Sequence, residues 1–580
     1  MSKPKLPAIE HIVVLMLENR SFDHMLGTVP GADGVLDGQG KPRKDLVNYT
    51  DPSNPKSKAY RPTLGANFFT PLDQETSGGR YGGPSHSYPS ASQQRFGSKT
   101  DQSGKTAPYY GPVATSSPAD QPVGFVSSFI GELEQALGTK GLAAQQAAAK
   151  KSGGVDPVQE VMEVFTADQL PAIHTLATEF CTCDRWFSEV PGPTEPNRLF
   201  MHAATSTGLT YNPWNQDVLD TPTIYERLEA AGKDWAMYGF DLFDSTNYQS
   251  LRDKPQGKLP FEQFLADAAA GKLPFYTFLC PRYADAPAGQ ANSQHAPHDV
   301  RFGDALIAQV YAAVRASPAW PKTLLIITHD EHGGYYDHVL PPAVEAPDAS
   351  VSPNAFMENE AARYHKTYLT EAEYVFRFDY LGFRVPALLV SPLIPKGSVA
   401  HTAYRHTSVL RFIADLIGSA PLTKRDANAA SFAAELSLSS PRTDCPQTVP
   451  SPALPKTETK ALLSQPPSAK QDEWTRRYTT HLQGHPDTGT PTRREFPTRR
   501  DLYDYIAERN RHDDWYRAGE RGRFEIYRDK DKHWRWRLRD GKDIIAMSSD
   551  TYSSEAAARE AFSRLRYLFY TLQHPTIRKS

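Results

Sequence analysis

The sequence predicts an α/β fold in which a mainly parallel sheet is flanked by helices. Three short apolar runs, at 12–17, 323–328 and 386–391, have the length and composition of strands that are buried on both faces. Segments at 302–316 and 409–417 show the periodicity of amphipathic helices. Strands that alternate with helices are typical of parallel sheets, because a parallel pair needs a crossover connection.

The rest of the first 430 residues extends this pattern. We predict further strands at 234–238 and 275–279, and helices at 142–150, 161–175, 199–205 and 223–231. Residues 31–124 are rich in Gly, Pro, Ser and Asn and show little periodicity. We therefore expect a long irregular segment there, which is either functional or disordered.

Composition and charge exclude several kinds of partner. A net charge of −3 on 580 residues is too small to indicate nucleic acid. No apolar run approaches the roughly 20 residues that span a bilayer, so we expect no transmembrane segment; peripheral membrane contact and the oligomeric state stay open. The first residues lack the features of an export signal, which predicts a cytoplasmic protein or one secreted by a signal-independent route. Four cysteines predict structural thiols rather than a disulfide framework.

The composition of the sequence changes after about residue 440. We predict a first domain at 1–436, a Pro-rich linker at 437–473, a charged and helical connector at 474–520 and a small module at 521–580. Within the module, a period of two places Trp534 and Trp536 on one face of a strand, with Arg535 and Arg537 on the other.

Polar side chains follow the first two apolar runs. Glu18 and Asn19 come directly after the run 12–17, while Asp330 and Glu331 follow His329 at the end of the second run. The carboxyl ends of parallel strands meet at one edge of a sheet, where ligands collect. Hard oxygen donors at that edge predict a site for one divalent cation, which is Ca²⁺, Mg²⁺, Mn²⁺ or Zn²⁺. The alternative is that Glu18 and Asn19 merely cap the strand.

A proline-rich turn presents a hydroxyl group just before a helical run. Thr194 stands in the sequence Pro-Gly-Pro-Thr-Glu-Pro, and the positive end of a helix at this point favours an anion such as phosphate. An ordinary N-cap threonine is the local alternative. A cation beside Thr194 would lower the pKa of its hydroxyl and supply a nucleophile near neutral pH.

Imidazole groups complete the predicted site. Four candidates stand in the loops of the first domain: His86, His295, His298 and His406. Such side chains are suited to hold phosphoryl oxygens and to protonate a leaving alkoxide.

Four motifs carry a resemblance to a known family. They are Glu-Asn-Arg-Ser-Phe-Asp-His-Met-Leu-Gly (18–27), Pro-Thr-Glu-Pro-Asn-Arg (193–198), His-Asp-Glu-His-Gly-Gly-Tyr-Tyr-Asp-His-Val (329–339) and His-Thr-Ser-Val-Leu-Arg-Phe-Ile (406–413). In this order they closely resemble the bacterial and plant phosphoesterase family. That family contains the non-specific phospholipases C and related acid phosphatases, within the alkaline-phosphatase superfamily. Residues 521–580 look like the small YegP-like ββα module.

The resemblance implies roles for the matching residues. It implies a metal ion held by Glu18, Asn19, Asp330 and Glu331, with Thr194 as the metal-bound nucleophile. The contacts it implies to phosphate or leaving group come from His86, His298 and His406, and also from His295 and Asn197. The implied reaction has two steps: the threonine attacks phosphorus, and water hydrolyses the resulting phosphothreonine.

Two further positions bear on the geometry of the site. Asp337 and His338 match the family as well, and we expect them to support Asp330 and Glu331 rather than touch substrate. Arg405 stands where relatives often carry an acid, so the resemblance does not settle how the neighbouring imidazole of His406 is oriented.

Several functions are compatible with these residues. The leading one is a phospholipase C that acts on phospholipids, and the first alternative is an acid phosphatase that acts on small phosphomonoesters. A sulfatase shares the superfamily fold, but its Cys or Ser is oxidised to an aldehyde hydrate, a conversion that threonine is not expected to undergo. A non-catalytic binding protein would be expected to have lost part of the cation site or the nucleophile, and all five positions are filled.

Overall fold

A computed structural model describes most of the first 455 residues and part of the C-terminal module. The described residues are 9–68, 83–97, 121–210, 212, 219–251, 254–283, 290–347, 376, 378–455, 523–540, 543–547 and 551–553. The chain divides into two compact units, the first comprising Met1–Thr457 with Ser468–Gln471 and the second Glu458–Pro467 with Asp472–Ser580.

The first unit is built on a mainly parallel eight-stranded sheet, as predicted. Its strands are β1 His11–Leu17, β2 Cys181–Cys183, β3 Trp235–Gly239, β4 Leu259–Pro260, β5 Tyr276–Leu279, β6 Thr323–His329, β7 Ala387–Val390 and β8 Ser398–Ala400. They lie in the order β8-β2-β7-β6-β1-β5-β3-β4. Strand β7 runs antiparallel to both of its neighbours, while the other neighbouring pairs are parallel.

Helices cover the sheet. They are α1 Phe22–Leu26, α2 Tyr88–Phe96, α3 Phe125–Leu137, α4 Thr139–Ser152, α5 Pro171–Glu179, α6 Thr194–Ala203, α7 Ile224–Ala230, α8 Phe261–Ala269, α9 Val300–Ala316, α10 Thr407–Ile417 and α11 Lys424–Ala427. On β1, Val13, Leu15 and Leu17 belong to a core layer shared with α5, α8 and α9. The intervening residues Ile12 and Val14 are also fully buried, which explains why this strand is apolar throughout.

Two predictions about local structure were wrong. Residues 161–175, predicted as one helix, form the end of a 3₁₀ turn (Pro157–Met162), a short strand (Glu163–Val164) and the start of α5. Proline at position 171 stands in the first turn of α5. A backbone N–H there would have no partner within the helix, so proline, which lacks this group, is tolerated. The irregular segment 31–124 contains helix α2, whose first turn is capped by the hydroxyl of Ser87. Residues 98–120 of that segment lie outside the described part of the chain.

The first part of the predicted linker packs on the sheet unit. Cys445 and Val449 belong to its main hydrophobic core, and the Tyr311 hydroxyl donates to the carbonyl oxygen of Pro446 over 2.5 Å. The rest of the linker beyond residue 455 and the connector 474–520 lie outside the described residues. All four cysteines are buried and free, as predicted.

The C-terminal unit contains an antiparallel three-stranded sheet. Its strands are β9 Arg523–Arg528, β10 Trp534–Asp540 and β11 Asp543–Met547. Trp536 is buried, whereas Arg535 on the opposite face pairs with Asp529, as the period of two predicts. The helix predicted to follow lies outside the described residues. Across the described part of both units, no helix combines the length and the apolar composition that crossing a membrane requires.

A glycine turn after β6 brings two loops into close approach. Gly333 has a φ of +66°, and a Cβ atom built on it would lie 2.1 Å from the carbonyl oxygen of Asn19. Backbone atoms at that distance cannot give way as a flexible side chain can. The turn therefore requires glycine both for its left-handed conformation and for the space beside the end of β1.

We expect Gly333→Ala to destabilise the protein by about 2 kcal/mol more than Gly418→Ala, because only the former adds a steric clash to the left-handed backbone strain. Gly418 is the matched control, since its φ is +70° and no described atom lies within 4 Å of a Cβ built there. Urea unfolding of both variants measures the difference. Equal losses would contradict the close approach of the two loops.

Candidate active site

The ends of β1 and β6 meet, and this meeting forms the centre of the site. The parallel register pairs Leu17 with His329, so the residues that follow each strand lie side by side. The backbone N–H of Asn19 donates to Asp330 Oδ1 over 3.0 Å, and the Asp330 N–H donates to the Leu17 carbonyl over 3.2 Å. Glu18, beside Asn19, is buried as well. The segments that follow the two strands are therefore in contact, through Asn19 and Asp330.

Two histidine side chains hold the carboxamide of Asn19 in one orientation. Its Nδ2 lies 3.1 Å from His86 Nε2 and 2.9 Å from His295 Nε2. The Nδ1 atoms of these two rings lie near carbonyl oxygens, of Pro84 at 3.1 Å and Ala296 at 2.6 Å. Each ring therefore carries its proton on Nδ1 and accepts from the amide at Nε2. This arrangement turns the Asn19 oxygen away from the histidines.

Thr194 lies opposite that oxygen. Its hydroxyl donates to Asn19 Oδ1 over 3.3 Å, and its residue is only 8% exposed. The preceding Pro193 occupies the N-cap position of α6 and makes no cap bond of its own, while Asn212 Oδ1 accepts from the backbone N–H of Glu195 over 2.8 Å. The hydroxyl of the first helical residue thus faces the ends of the two strands rather than the free N–H groups of its own helix.

Asn197 supports the turn that carries Thr194. Its Oδ1 accepts from the backbone N–H groups of Glu189 and Val190, each over 2.9 Å. Its Nδ2 donates to backbone carbonyls of the same turn, including that of Pro193 at 3.0 Å. Both ends of this amide are therefore used by the loop.

His406 has a fixed tautomer. The indole N–H of Trp186 donates to His406 Nδ1 over 3.2 Å, so the proton of the neutral ring is on Nε2, which donates to the carbonyl oxygen of Asp330 over 2.7 Å. Burial lowers the pKa of His406 to about 4. Arg405 donates instead to Thr407 Oγ1 and to the carbonyl of Arg425. The orientation of His406 thus comes from an indole group, with no acid required at position 405.

His298 lies in the same turn as His295. Its residue is half-buried, and its backbone N–H donates to the carbonyl oxygen of His295 over 3.0 Å. The turn therefore holds the backbone of His298 against that of His295, whose ring contacts Asn19.

Burial and mutual repulsion oppose ionisation of Glu331. Burial raises the pKa of Glu331 well above its usual range, and repulsion from Asp330 and Glu18 raises it further. Glu331 Oε2 accepts from the Gly333 N–H over 2.8 Å, while Oε1 is buried and has no hydrogen bond to a described residue. No three His, Cys, Asp or Glu side chains of the described residues are drawn together as a metal-ligand group. The side-chain oxygens of Asn19 and Thr194 are further potential metal ligands at this edge.

Asp337 and His338 lie elsewhere than expected. His338 Nδ1 lies 2.7 Å from Asp23 Oδ2, and the Arg384 guanidinium bridges Asp23 and Asp337. Although burial opposes it, the Asp23 carboxylate raises the pKa of His338 to about 9. This cluster fixes α1 against the segment after β6. It does not support Asp330 and Glu331 directly, because each of its acids already has a basic partner.

One participant escaped the sequence reasoning. Arg198 is buried and its Nε donates to Asp330 Oδ2 over 3.1 Å. It lies in the same motif as Thr194, four residues later, and a spacing of four places two side chains on one face of a helix. That spacing is the sequence signal from which a role of Arg198 beside Thr194 could have been predicted.

Comparison with known proteins identifies the family of the chain. A model described as the phosphoesterase family matches residues 9–418, and one described as a domain of unknown function (DUF1508) matches residues 529–566. Non-specific phospholipase C6 of Arabidopsis thaliana is 36% identical over 479 residues, which cover 76% of this chain and 75% of that protein. Phospholipase C B of Mycobacterium tuberculosis is 28% identical, with 79% of this chain and 84% of that protein covered.

Solved structures resemble the chain more distantly. A protein of the alkaline phosphatase superfamily from Vibrio parahaemolyticus aligns with a TM-score of 0.27 and 11% identity, covering 43% of this chain and 60% of that one. The family model covers more than two thirds of the chain and includes Thr194, the four histidines and the residues that follow β1 and β6. The chain therefore belongs to the phosphoesterase family.

Proposed function

We propose that this chain is a phospholipase C, a phosphoric ester hydrolase that releases the headgroup of a phospholipid through a phosphothreonine on Thr194. The observation that carries the proposal is the position of the Thr194 hydroxyl, 3.3 Å from Asn19 Oδ1 at an edge with three buried carboxylates. The names of the relatives give the substrate class.

One divalent cation is part of the proposal. Glu18, Asn19, Asp330, Glu331 and Thr194 would hold it, whether it is Ca²⁺, Mg²⁺, Mn²⁺ or Zn²⁺. The buried Glu331 oxygen without a hydrogen bond and the mutual repulsion of the carboxylates both support a cation at this place. When bound, it would lower the pKa of the Thr194 hydroxyl and offset the charge of the phosphoryl group.

The displacement itself is assigned to residues of the chain. Thr194 loses its hydroxyl proton to solvent and Oγ1 bonds to phosphorus, while the bond from phosphorus to the diacylglycerol oxygen breaks. The leaving oxygen takes a proton from His298. Water then gives a proton back to His298 and bonds to phosphorus; the bond to Oγ1 breaks, and Thr194 regains its proton from solvent. The positive end of α6 favours the charge that develops beside Thr194.

The other predicted residues receive supporting roles. We assign His86 and His295 to hydrogen bonds with the phosphoryl oxygens. To make this contact, each ring releases the Asn19 amide and becomes protonated on Nε2. His406 fixes the backbone of Asp330 through its Nε2 proton. Asn197 holds the turn before the nucleophile.

Hydrolysis of phosphomonoesters is the second candidate. A dianionic monoester needs more cationic groups around phosphate than a diester does. The guanidinium group of Arg198, which contacts Asp330, already donates hydrogen bonds to protein oxygens. This favours the diester.

The first test is the substrate. We expect the purified chain to release phosphocholine from phosphatidylcholine, and a simple phosphomonoester to react more slowly. Dialysis against a chelator should abolish both activities, and a divalent cation should restore them. Mass spectrometry of the products identifies the bond that is cleaved. Faster turnover of the monoester would favour the phosphatase, and undiminished activity after removal of the cation would contradict the metal site.

We expect Thr194→Ala to lower turnover by at least about a thousandfold, because the covalent route is lost. Folding and bound metal should be retained, as circular dichroism and metal analysis can show. Thr194→Ser is the matched control, since it keeps a hydroxyl and should keep measurable turnover. Normal activity in the alanine variant would remove Thr194 from its role.

We expect His298→Ala to slow esters with poor leaving groups by about 10²–10⁴-fold and nitrophenyl esters much less, because nitrophenolate leaves without a proton. Steady-state rates on phosphatidylcholine and on a nitrophenyl phosphodiester give the two ratios. Equal losses on both substrates would make His298 a phosphate-binding residue instead of the general acid.

A further inference from the structure

Arg198 connects the helix of Thr194 to the ends of both central strands. Its Nε donates to Asp330 Oδ2 at the end of β6 over 3.1 Å. Its Nη2 donates to the carbonyl oxygens of Met16 and Leu17, at the end of β1, over 3.2 and 3.3 Å. One guanidinium on α6 therefore contacts both strand ends whose next residues form the site.

A second set of contacts fixes the guanidinium itself. Arg198 Nη1 donates to Asp244 Oδ2 over 3.2 Å. The same oxygen accepts from His202 Nε2 over 3.0 Å, and His202 Nδ1 accepts from the Tyr225 hydroxyl over 3.0 Å. The ring of Tyr283 lies 5.2 Å from the Arg198 Cζ atom. The orientation of the guanidinium group is thus also held by residues outside the site.

We propose that Arg198 is a positioning residue that sets the place of the Thr194 hydroxyl relative to Asp330 and Asn19. This inference rests on the proposed role of Thr194 as nucleophile. The planar fork of an arginine has fixed donor directions, so helix α6 cannot shift along the strand ends without losing hydrogen bonds. A lysine keeps the charge but not these directions.

The protein contains a matched control for this role. Arg384 is also buried, also pairs with two aspartates, Asp23 and Asp337, and also donates to two backbone carbonyls, those of Asp33 and Asp184. The hydrogen bonds of the Arg384 side chain to described residues lie in the cluster around α1 and involve neither Asp330 nor helix α6. A purely structural role of a buried arginine should give the same result at both positions.

The test compares Arg198→Lys with Arg384→Lys in the full chain. We expect Arg198→Lys to lower kcat on nitrophenyl phosphocholine by about a hundredfold while KM changes less than about threefold, because a displacement of about 1 Å is enough to cause such a loss. The affinity of metal-stripped protein for Mn²⁺ alone, measured by calorimetry, should fall about tenfold, as expected when a residue that orients a metal ligand is changed. Arg384→Lys should lose stability but keep kcat per folded molecule.

A crystal structure of Arg198→Lys supplies a readout that does not depend on activity. We expect a longer distance than 3.3 Å between Thr194 Oγ1 and Asn19 Oδ1, or a rotated Asp330 carboxylate. An unchanged site in that structure would overturn the inference, as would equal losses of kcat in the two lysine variants. A wild-type chain that hydrolyses no phosphoester would instead refute the proposed function, and the crystal structure would still decide the role of Arg198.

Discussion

The pairing of β1 with β6 is the interaction on which the site depends. Both strands lie in the middle of the sheet and are apolar on both faces, so their register is held by packing as well as by backbone hydrogen bonds. Because Leu17 lies opposite His329, Asn19 contacts Asp330, and Glu18 and Glu331 adjoin them in the chain. A slip of one residue would turn every side chain of a strand to the opposite face and separate these groups.

Collecting carboxylates inside a protein opposes folding unless each has a partner. The structure meets this demand with arginines, Arg198 at Asp330 and Arg384 at Asp23 and Asp337. Buried ion pairs of this kind add little net stability compared with apolar packing, but breaking one is costly. Their contribution here is to specify one arrangement. Glu331 differs from Asp330, Asp23 and Asp337, since one of its oxygens lacks a hydrogen-bond partner among the described residues.

The sequence was sufficient for the central strands and for the acids after them, because an apolar run that ends in carboxylates leaves few alternatives. It was insufficient where contacts join distant loops. Nothing in the spacing of the chain indicates that Trp186 orients His406, or that His338 pairs with Asp23 rather than supporting Glu331. The helix predicted at 161–175 failed for a local reason, since the proline at 171 marks the start of a helix and not its interior.

The parts of the site come from widely separated stretches of the chain. Asn19 and Asp330 are 311 positions apart, and Thr194 lies between them. A ribosome that synthesises this chain therefore releases the hydroxyl and the amide long before the carboxylates of the later strand. The nascent polypeptide cannot assemble this edge until β6 has emerged and inserted beside β1, so the order of synthesis itself delays completion of the site.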